Sequence, residues 1–398
     1  MRLQSALPPI FLIVLVDVLG FTIVIPLLGL YAERFGASPL VATTLVSVYA
    51  VCSLISTPII GALSDRYGRR PLLLISQAGT CAGFLILWQS NSLWMVFVGR
   101  ILDGITAGNL STAQAYISDH TAPENRAKAF GFIGVAFGIG FTFGPGLGGW
   151  LSSSFGAMHL PFFVSACLSA LSFICTYILL PRETPGEISL AQSGPGGRRP
   201  SPFDLATYLD YLRRPQLGSL YLQFFLFIFS FSVLTSGFAL FAEARFHWTA
   251  RETGYLFAYA GFLGIILQGG LIGRLVKRYG ELRLTLAGFA ASVVAYSVMG
   301  LAPTLVLIVV ATTVNSFGSG VLRPVLTSRI SQMVGKHEQG VALGISASLS
   351  SLAMILAPPA GGLMLTYHWT LLWGMVAAVA SLLGLVVCLV SGSTAKAQ

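Results

Sequence analysis

Apolar runs of about twenty residues or more, nearly free of formal charge, follow one another along this 398-residue chain and leave few folds open. A helix needs about 20 apolar residues to cross a hydrocarbon core roughly 30 Å thick, and only helices or closed barrels satisfy their backbone there. Runs of this length select helices. Twelve are expected, near 8–31, 40–62, 71–90, 92–118, 127–152 and 159–180, then 216–242, 253–275, 282–302, 304–331, 339–366 and 369–391. Only 9% of residues are charged and 55% are hydrophobic, against about a quarter charged in a soluble domain. Lipid is the expected solvent, and the fold class is an all-α membrane protein of two pseudo-symmetric six-helix bundles.

The two bundles are announced by an internal repeat. Gly61-Ala-Leu-Ser-Asp-Arg-Tyr-Gly68 recurs 212 residues later as Gly273-Arg-Leu-Val-Lys-Arg-Tyr-Gly280, and Gly144-Pro145 with Gly148-Gly149 is matched by Pro358 and Gly361-Gly362. Repeats in a strongly apolar chain mark many transporter folds, whose substrate site lies between the repeats near the bilayer midplane. The expected organisation is an N-terminal bundle over 1–181, a linker over 182–215 and a C-terminal bundle over 216–398. The linker is rich in Pro, Gly, Ser and Arg, and its end, Phe203 to Leu212, has the pattern of a short interfacial helix.

Charge placement sets the expected orientation. Eighteen of the 23 Lys and Arg residues fall at the termini and in the even-numbered loops, whereas the opposite loops hold Arg34, Arg245 and Arg251. By the positive-inside rule both termini are cytoplasmic. The formal charge of +9 then follows from topology and gives no reason to expect a nucleic-acid partner. The first run exceeds the core of a signal peptide, carries Asp17 and lacks a small-residue cleavage site, so it is read as a retained span. Cys52, Cys81, Cys167, Cys175 and Cys388 all fall within spans without metal-like spacing, and neither a metal nor another cofactor is expected. No nucleophile–base pattern or phosphate loop stands out. His120, His159, His247, His337 and His368 fall at helix ends or in loops, so an enzyme is the least favoured class.

Gly61-x3-Asp65-Arg66-x-Gly68-Arg69-Arg70 resembles the loop motif of the major facilitator superfamily. Arg100-x3-Gly104-x3-Gly108, together with Gly134, Gly138, Gly144-Pro145 and Gly148-Gly149, is similar to the Arg and antiporter motifs of its twelve-helix drug/proton antiporter branch. Ala115-Tyr-Ile-Ser-Asp119 with Pro123-Glu-Asn-Arg126 resembles tetracycline efflux proteins. The resemblance implies a cytoplasmic latch between the bundles, made by Gly61, Asp65, Arg66, Gly68, Arg69 and Arg70. Asp119 and Glu124 are the expected partners of Arg66 or Arg69. In the second copy, Lys277 and Glu281 replace the positions of Asp65 and Arg69, so that loop should be wired differently. The helix 5 glycines have spacings that admit another helix closely, and the resemblance places this contact between the bundles.

Asp17, Arg100, Asp103 and Arg323 lie well inside spans. An ionised group at the bilayer centre costs about 2.5 to 3.5 kcal/mol on insertion scales, so each should face a cavity or a partner. Two acids and two arginines balance formally. Arginine does not release its proton, which leaves Asp17 and Asp103 as the proton-coupling candidates. Asp103 is also placed to pair with Arg100 at i+3.

At 100° per residue Arg100, Asp103, Ser111 and Gln114 share a face of span 4, with Asn109 opposite, and Asn315, Ser319 and Arg323 share a face of span 10. These stripes, with Gln223 of span 7, are the candidate substrate surface. Phe227, Phe231, Phe238 and Phe241 of span 7, with Tyr255, Tyr259 and Gln268 of span 8, offer either an aromatic wall for an amphipathic ligand or ordinary packing.

The expected function is proton-driven efflux of a small amphipathic compound by a monomer in a bacterial inner membrane, the proton gradient serving as energy source. Uptake or facilitated transport of an organic anion through the same fold is the alternative, kept open by Arg323. A receptor derived from the same fold is a third class, disfavoured by the lack of a long soluble segment.

Overall fold

The computed structural model describes residues 7–120, 126–154, 157–181, 205–335 and 338–394. Every regular element among them is helical. The first half gives α1 (Leu7–Glu33), α2 (Pro39–Tyr67), α3 (Arg69–Gln89), α4 (Leu93–Ile105), α5 (Asn109–His120), α6 (Arg126–Ser154) and α7 (Leu160–Leu179). Then come α8 (Leu205–Arg213), α9 (Pro215–Phe246) and α10 (Ala250–Ile266), the last passing through a π-turn (Leu267–Leu271) into α11 (Ile272–Tyr279). The series ends with α12 (Glu281–Leu301), α13 (Leu305–Gln332), α14 (Gln339–Thr366) and α15 (Thr370–Thr394). Ten helical stretches among the described residues are long and apolar enough to cross a membrane.

Span 4 differs from expectation. The run 92–118 is two helices, α4 and α5, separated at Thr106-Ala107-Gly108. Thr106 turns its hydroxyl back onto Leu102 O at 2.8 Å, and α2 takes over the carbonyls at the break. Ser56 Oγ donates to Gly104 O at 2.7 Å and Thr57 Oγ1 to Ala107 O at 2.8 Å. Broken backbone at membrane depth is tolerated where neighbouring side chains satisfy it.

Contacts divide the chain into two compact units. One holds α1, α2 from Val48 onward, α3 to α7, and Trp248–Ala258. Its core joins Ile10, Ile13, Val14 and Val18 of α1 to Leu73, Ala113, Tyr116, Ile117 and Ala136. The other holds Ser38–Ser47, α8, α9 and the chain from Tyr259 onward. Its core is built on Tyr221, Phe224, Phe227 and Ile228 of α9 with Phe289, Leu322, Leu326, Ile345 and Ala353.

The end of the linker is helical as α8, which is bound into the second unit. Tyr211 is buried in that core, and its hydroxyl donates to Glu338 Oε1 at 3.1 Å. Arg214 lies 4.2 Å over the Tyr211 ring and reaches Asp210 at 3.2 Å and Glu338 at 3.4 Å. The Tyr211 hydroxyl, then the Gly335 N–H and Arg214, hold the Glu338 carboxyl below the usual carboxylate range.

Candidate functional site

The two repeat loops share a backbone conformation that their sequence demands. Gly68 has φ 97° and ψ 157°, Gly280 has φ 79° and ψ 158°, and each leads directly into the following helix. Positive φ at this point favours glycine and explains its recurrence. In the first loop Arg69, 5% exposed, is the hub. It bonds Asp65 at 2.5 Å, Asp119 at 2.8 Å and Ser64 Oγ at 2.6 Å. The buried guanidinium thus ties α3 to the ends of α2 and α5, with charge-assisted bonds on both sides. Arg70 donates to Tyr177 O of α7 at 2.6 Å, and Arg66 lies over the ring of its neighbour Tyr67. Gly61 has open space where a side chain would be. Glu124 lies outside the described residues.

The second loop is wired with the opposite charge. Glu281, at the position equivalent to Arg69, accepts from Ser328 Oγ at 2.8 Å and from Gln332 Nε2 at 3.2 Å, both at the end of α13.

Arg100 and Asp103 are 3% and 4% exposed and paired at 2.7 Å, with the guanidinium 4.4 Å over the Tyr49 ring. Gly83 and Gly99 bring α3 and α4 together here; a Cβ on either would lie 3.0 Å from the other's carbonyl oxygen. The pair is therefore sealed, and Arg100 does not offer its charge to a ligand at this position.

Asp17 has a different environment. Its hydrogen-bonding neighbours are the neutral side chains of Ser172, Gln77 and Asn109, and Oδ1 is buried without a partner among the described residues. Gln77 is itself fully buried, donating to Ser172 Oγ at 2.8 Å while its Oε1 is unpartnered. Asn109 corrects the single helical wheel drawn for span 4. The break resets the helical phase, so the residue expected opposite the polar face begins α5 beside Asp17, and Arg100 through Gln114 do not form one continuous stripe. Ser111 donates to Gly108 O at 3.1 Å, and Gln114 is exposed. Gln77 and Ser172 were not singled out from the sequence, where one polar residue in an apolar helix carries no signal of its neighbours.

Gly140, Gly144, Gly148 and Gly149 of α6 serve close packing. A Cβ on Gly148 would lie 2.6 Å from Ile23 O, and one on Gly144 would strike Thr22, whose hydroxyl donates to Gly140 O at 2.9 Å. Gly149 faces the start of α10, where a Cβ would lie 2.5 Å from Ala250 O, and Gly254 sits against Pro145. Gly138 accepts the Thr142 hydroxyl through its carbonyl. Gly134 differs from the expectation: among the described residues nothing lies within 4 Å of where its Cβ would stand, so no close helix contact is made there. In the second unit Gly362, the repeat of Gly149, is crossed in the same way by the start of α2. Leu40 N donates to Thr366 Oγ1 at 2.9 Å, and Ser47 Oγ donates to Ile355 O at 2.8 Å.

Span 7 contributes packing, not a ligand wall. Phe227, Phe238 and Phe241 are buried, Phe241 stacking on Trp373 at 4.6 Å, and Phe231 packs partly buried against the core. Gln223 is fully buried, with Ser219 at 3.2 Å and Ser391 at 3.4 Å, which removes it from a substrate surface. An apolar ring on a central helix gains more from a close-packed core than from a wet face. Asn315 is 6% exposed, and Ser319 donates back to its carbonyl at 2.9 Å. Arg323 is exposed and has no carboxylate partner among the described residues.

The Major Facilitator Superfamily profile matches residues 10–296 and 269–397. The chain is 32% identical to the class G tetracycline resistance protein of Vibrio anguillarum, over 87% of each chain. It is 28% identical to the class B protein of Escherichia coli, over 87% of this chain and 85% of that one. Its fold superposes on the human organic anion transporter MFSD10 (TETRAN) with a TM-score of 0.72 at 22% identity, covering 98% of this chain and all of that one.

Proposed function

The chain belongs to the major facilitator superfamily, a family of multi-pass membrane transporters and not enzymes, and from that premise we propose that it exports a small amphipathic compound in exchange for protons by alternating access. Similarity to tetracycline resistance proteins supports export of a drug-like molecule. We place the chain in a bacterial inner membrane, by its similarity to bacterial tetracycline resistance proteins, with both termini cytoplasmic, by the distribution of Lys and Arg.

The observation that carries proton coupling is the contrast between the two buried acids. Asp103 is paired with Arg100, whereas the side chains hydrogen-bonded to Asp17 are neutral, and among the described residues it has no ion-pair partner and its Oδ1 is unpartnered. A carboxyl in that setting takes up and loses a proton without breaking an ion pair. Asp17 is therefore the proton carrier, and Arg69 with Asp65 and Asp119 is the cytoplasmic latch that opens and closes as the carrier cycles. In proteoliposomes, Asp17→Asn should retain substrate exchange but lose its acceleration by a pH gradient. Gradient-driven transport that survives in Asp17→Asn would overturn this assignment.

The second reading, transport of an organic anion, is favoured by Arg323, which is exposed and has no carboxylate partner among the described residues. Accumulation in right-side-out vesicles that depends on Arg323 would decide for it.

A further inference from the structure

The second unit carries a cation and an amide, Arg323 and Gln268, that no side chain among the described residues engages. Span 8 is interrupted by the π-turn Leu267-Gln-Gly-Gly-Leu271, in which Ile272 N donates back to Leu267 O. Such single π-turns recur at functional sites because they cost a regular hydrogen bond and re-aim side chains. Here the turn is pinned on one side only. Leu267 is buried with Leu284, Val321 and Val325, while Gln268, Gly269 and Gly270 are exposed. Nothing lies within 4 Å of where a Cβ on Gly269 or Gly270 would stand, so bare backbone faces open space.

The same turn lies against α13 at Gly320. A Cβ there would stand 2.7 Å from Leu267 Cδ2 and 3.9 Å from Gln268 Nε2, which brings the Gln268 amide beside that helix. Arg323 follows one turn further along α13, on the adjoining face. The residue is exposed, and neither it nor Gln268 has a hydrogen-bond partner among the described residues. Nearby hydroxyls do not compete for it: Ser316 bonds Thr312 O, Ser319 bonds Asn315 O and Thr327 bonds Arg323 O. An unpaired arginine within a span has to face water or an anion, and its five donors suit a carboxylate or sulfonate. Exposed Phe262 and Ile266 lead along α10 to the glycine pair, so an apolar surface adjoins the charge.

We propose that Arg323 and Gln268 bind the anionic group of the substrate while its flat apolar body lies over Gly269 and Gly270. This deepens the transporter reading by naming a substrate class, and it does not depend on Asp17 or on the direction of transport.

The test uses the purified full chain in detergent, without a proton gradient, and compares stabilisation against heat by 1-naphthoate and 1-naphthamide, which match in shape and differ in charge. Naphthoate should half-saturate at a concentration about tenfold lower or more, the scale of one charge-assisted bond. Arg323→Gln should bring the ratio of the two ligands near one, while Arg323→Lys keeps most of it. Gly270→Leu should weaken both ligands alike and keep the ratio. Ligand-free melting temperatures like that of the unaltered protein establish that the variants fold. Equal affinity for the two ligands, stabilisation by neither, or a preference undiminished in Arg323→Gln would each overturn the proposal. Gradient-driven transport in the Asp17 variants is read separately, so either idea can fail alone.

Discussion

Arg69 and Glu281 occupy equivalent places in the two repeats and reach the same part of the following fold with opposite charge. Arg69 bonds Asp119 at the end of α5, whereas Glu281 accepts from Ser328 and Gln332 at the end of α13. The duplication preserved the contact and exchanged its chemistry. Among the described residues only the first copy buries a formal charge against acids on two sides, which makes it the costlier one to break.

Asp119→Asn should cost little, about 1 kcal/mol, because the Asp119 side chain is 24% exposed and Asp65 still neutralises Arg69. Arg69→Ala should cost more, about 3 kcal/mol, since it removes the buried cation that both Asp65 and Asp119 face. Thermal unfolding in detergent, with the double variant closing the cycle, measures the difference. Equal effects of the two substitutions would show that Arg69 is not the hub.

Asp103→Asn and Asp17→Asn should separate stability from coupling. The first leaves Arg100 buried without its counter-charge and is expected to lower the melting temperature sharply, by the scale of about 3 to 5 kcal/mol. The second removes no ion pair, so the protein should melt within a few degrees of its parent.

Along α6, Gly148→Val should disrupt packing against α1 at a cost of about 1 to 3 kcal/mol, because its Cβ would meet the Ile23 carbonyl. Gly134→Ala should be neutral or stabilising by up to about 1 kcal/mol, having open space and gaining helix propensity. Expression and melting temperature of the two variants check the contrast.

The tie between α8 and α14 should respond to pH. Hydrogen bonding in the folded protein depresses the Glu338 carboxyl, so its contribution is present above the unfolded value and is lost as pH falls through the lower, folded one. Glu338→Gln should therefore melt below its parent at pH 7, with the gap closing below about pH 4. A gap that widened on acidification would contradict this sign.

At the break in span 4, Thr57→Ala should cost about 1 kcal/mol by removing the hydroxyl donor to the Ala107 carbonyl, and Ser56→Ala should cost less, because Gly104 O still accepts the Ala107 N–H at 3.2 Å. Restoring a straight helix is not an alternative relaxation, because Gly104 and Gly108 are already pressed against Tyr49, Cys52 and Ile60.

Where each apolar run lies could be read from the sequence, because hydrocarbon penalises charge so strongly that the pattern survives any detail of packing. Gly68 and Gly280 were legible for a related reason, since a positive φ leaves few residue choices. The i, i+3 spacing offered the Arg100–Asp103 pair as one option. The surroundings of Asp17 were not legible. They depend on Gln77 and Ser172, which come from α3 and α7, and on Asn109, whose direction follows from a break that no single residue announces. Nor did the phenylalanines of α9 reveal their side, because apolar rings suit a core, a lipid face or a ligand equally well.

The interruption at Thr106-Ala107-Gly108 makes span 4 a jointed rod. A straight helix would carry a displacement at the Arg69–Asp119 end directly to Arg100 and Asp103. With a joint between them, α4 stays seated on α3 through Gly83 and Gly99 while α5 follows α1 through Asn109. Energies of substitution at the two ends should then add, as they do for mechanically independent sites, and the coupling energy between Asp119 and Asp103 variants should fall below about 0.5 kcal/mol. Inserting alanines to splice α4 and α5 into one helix would convert the joint into a lever.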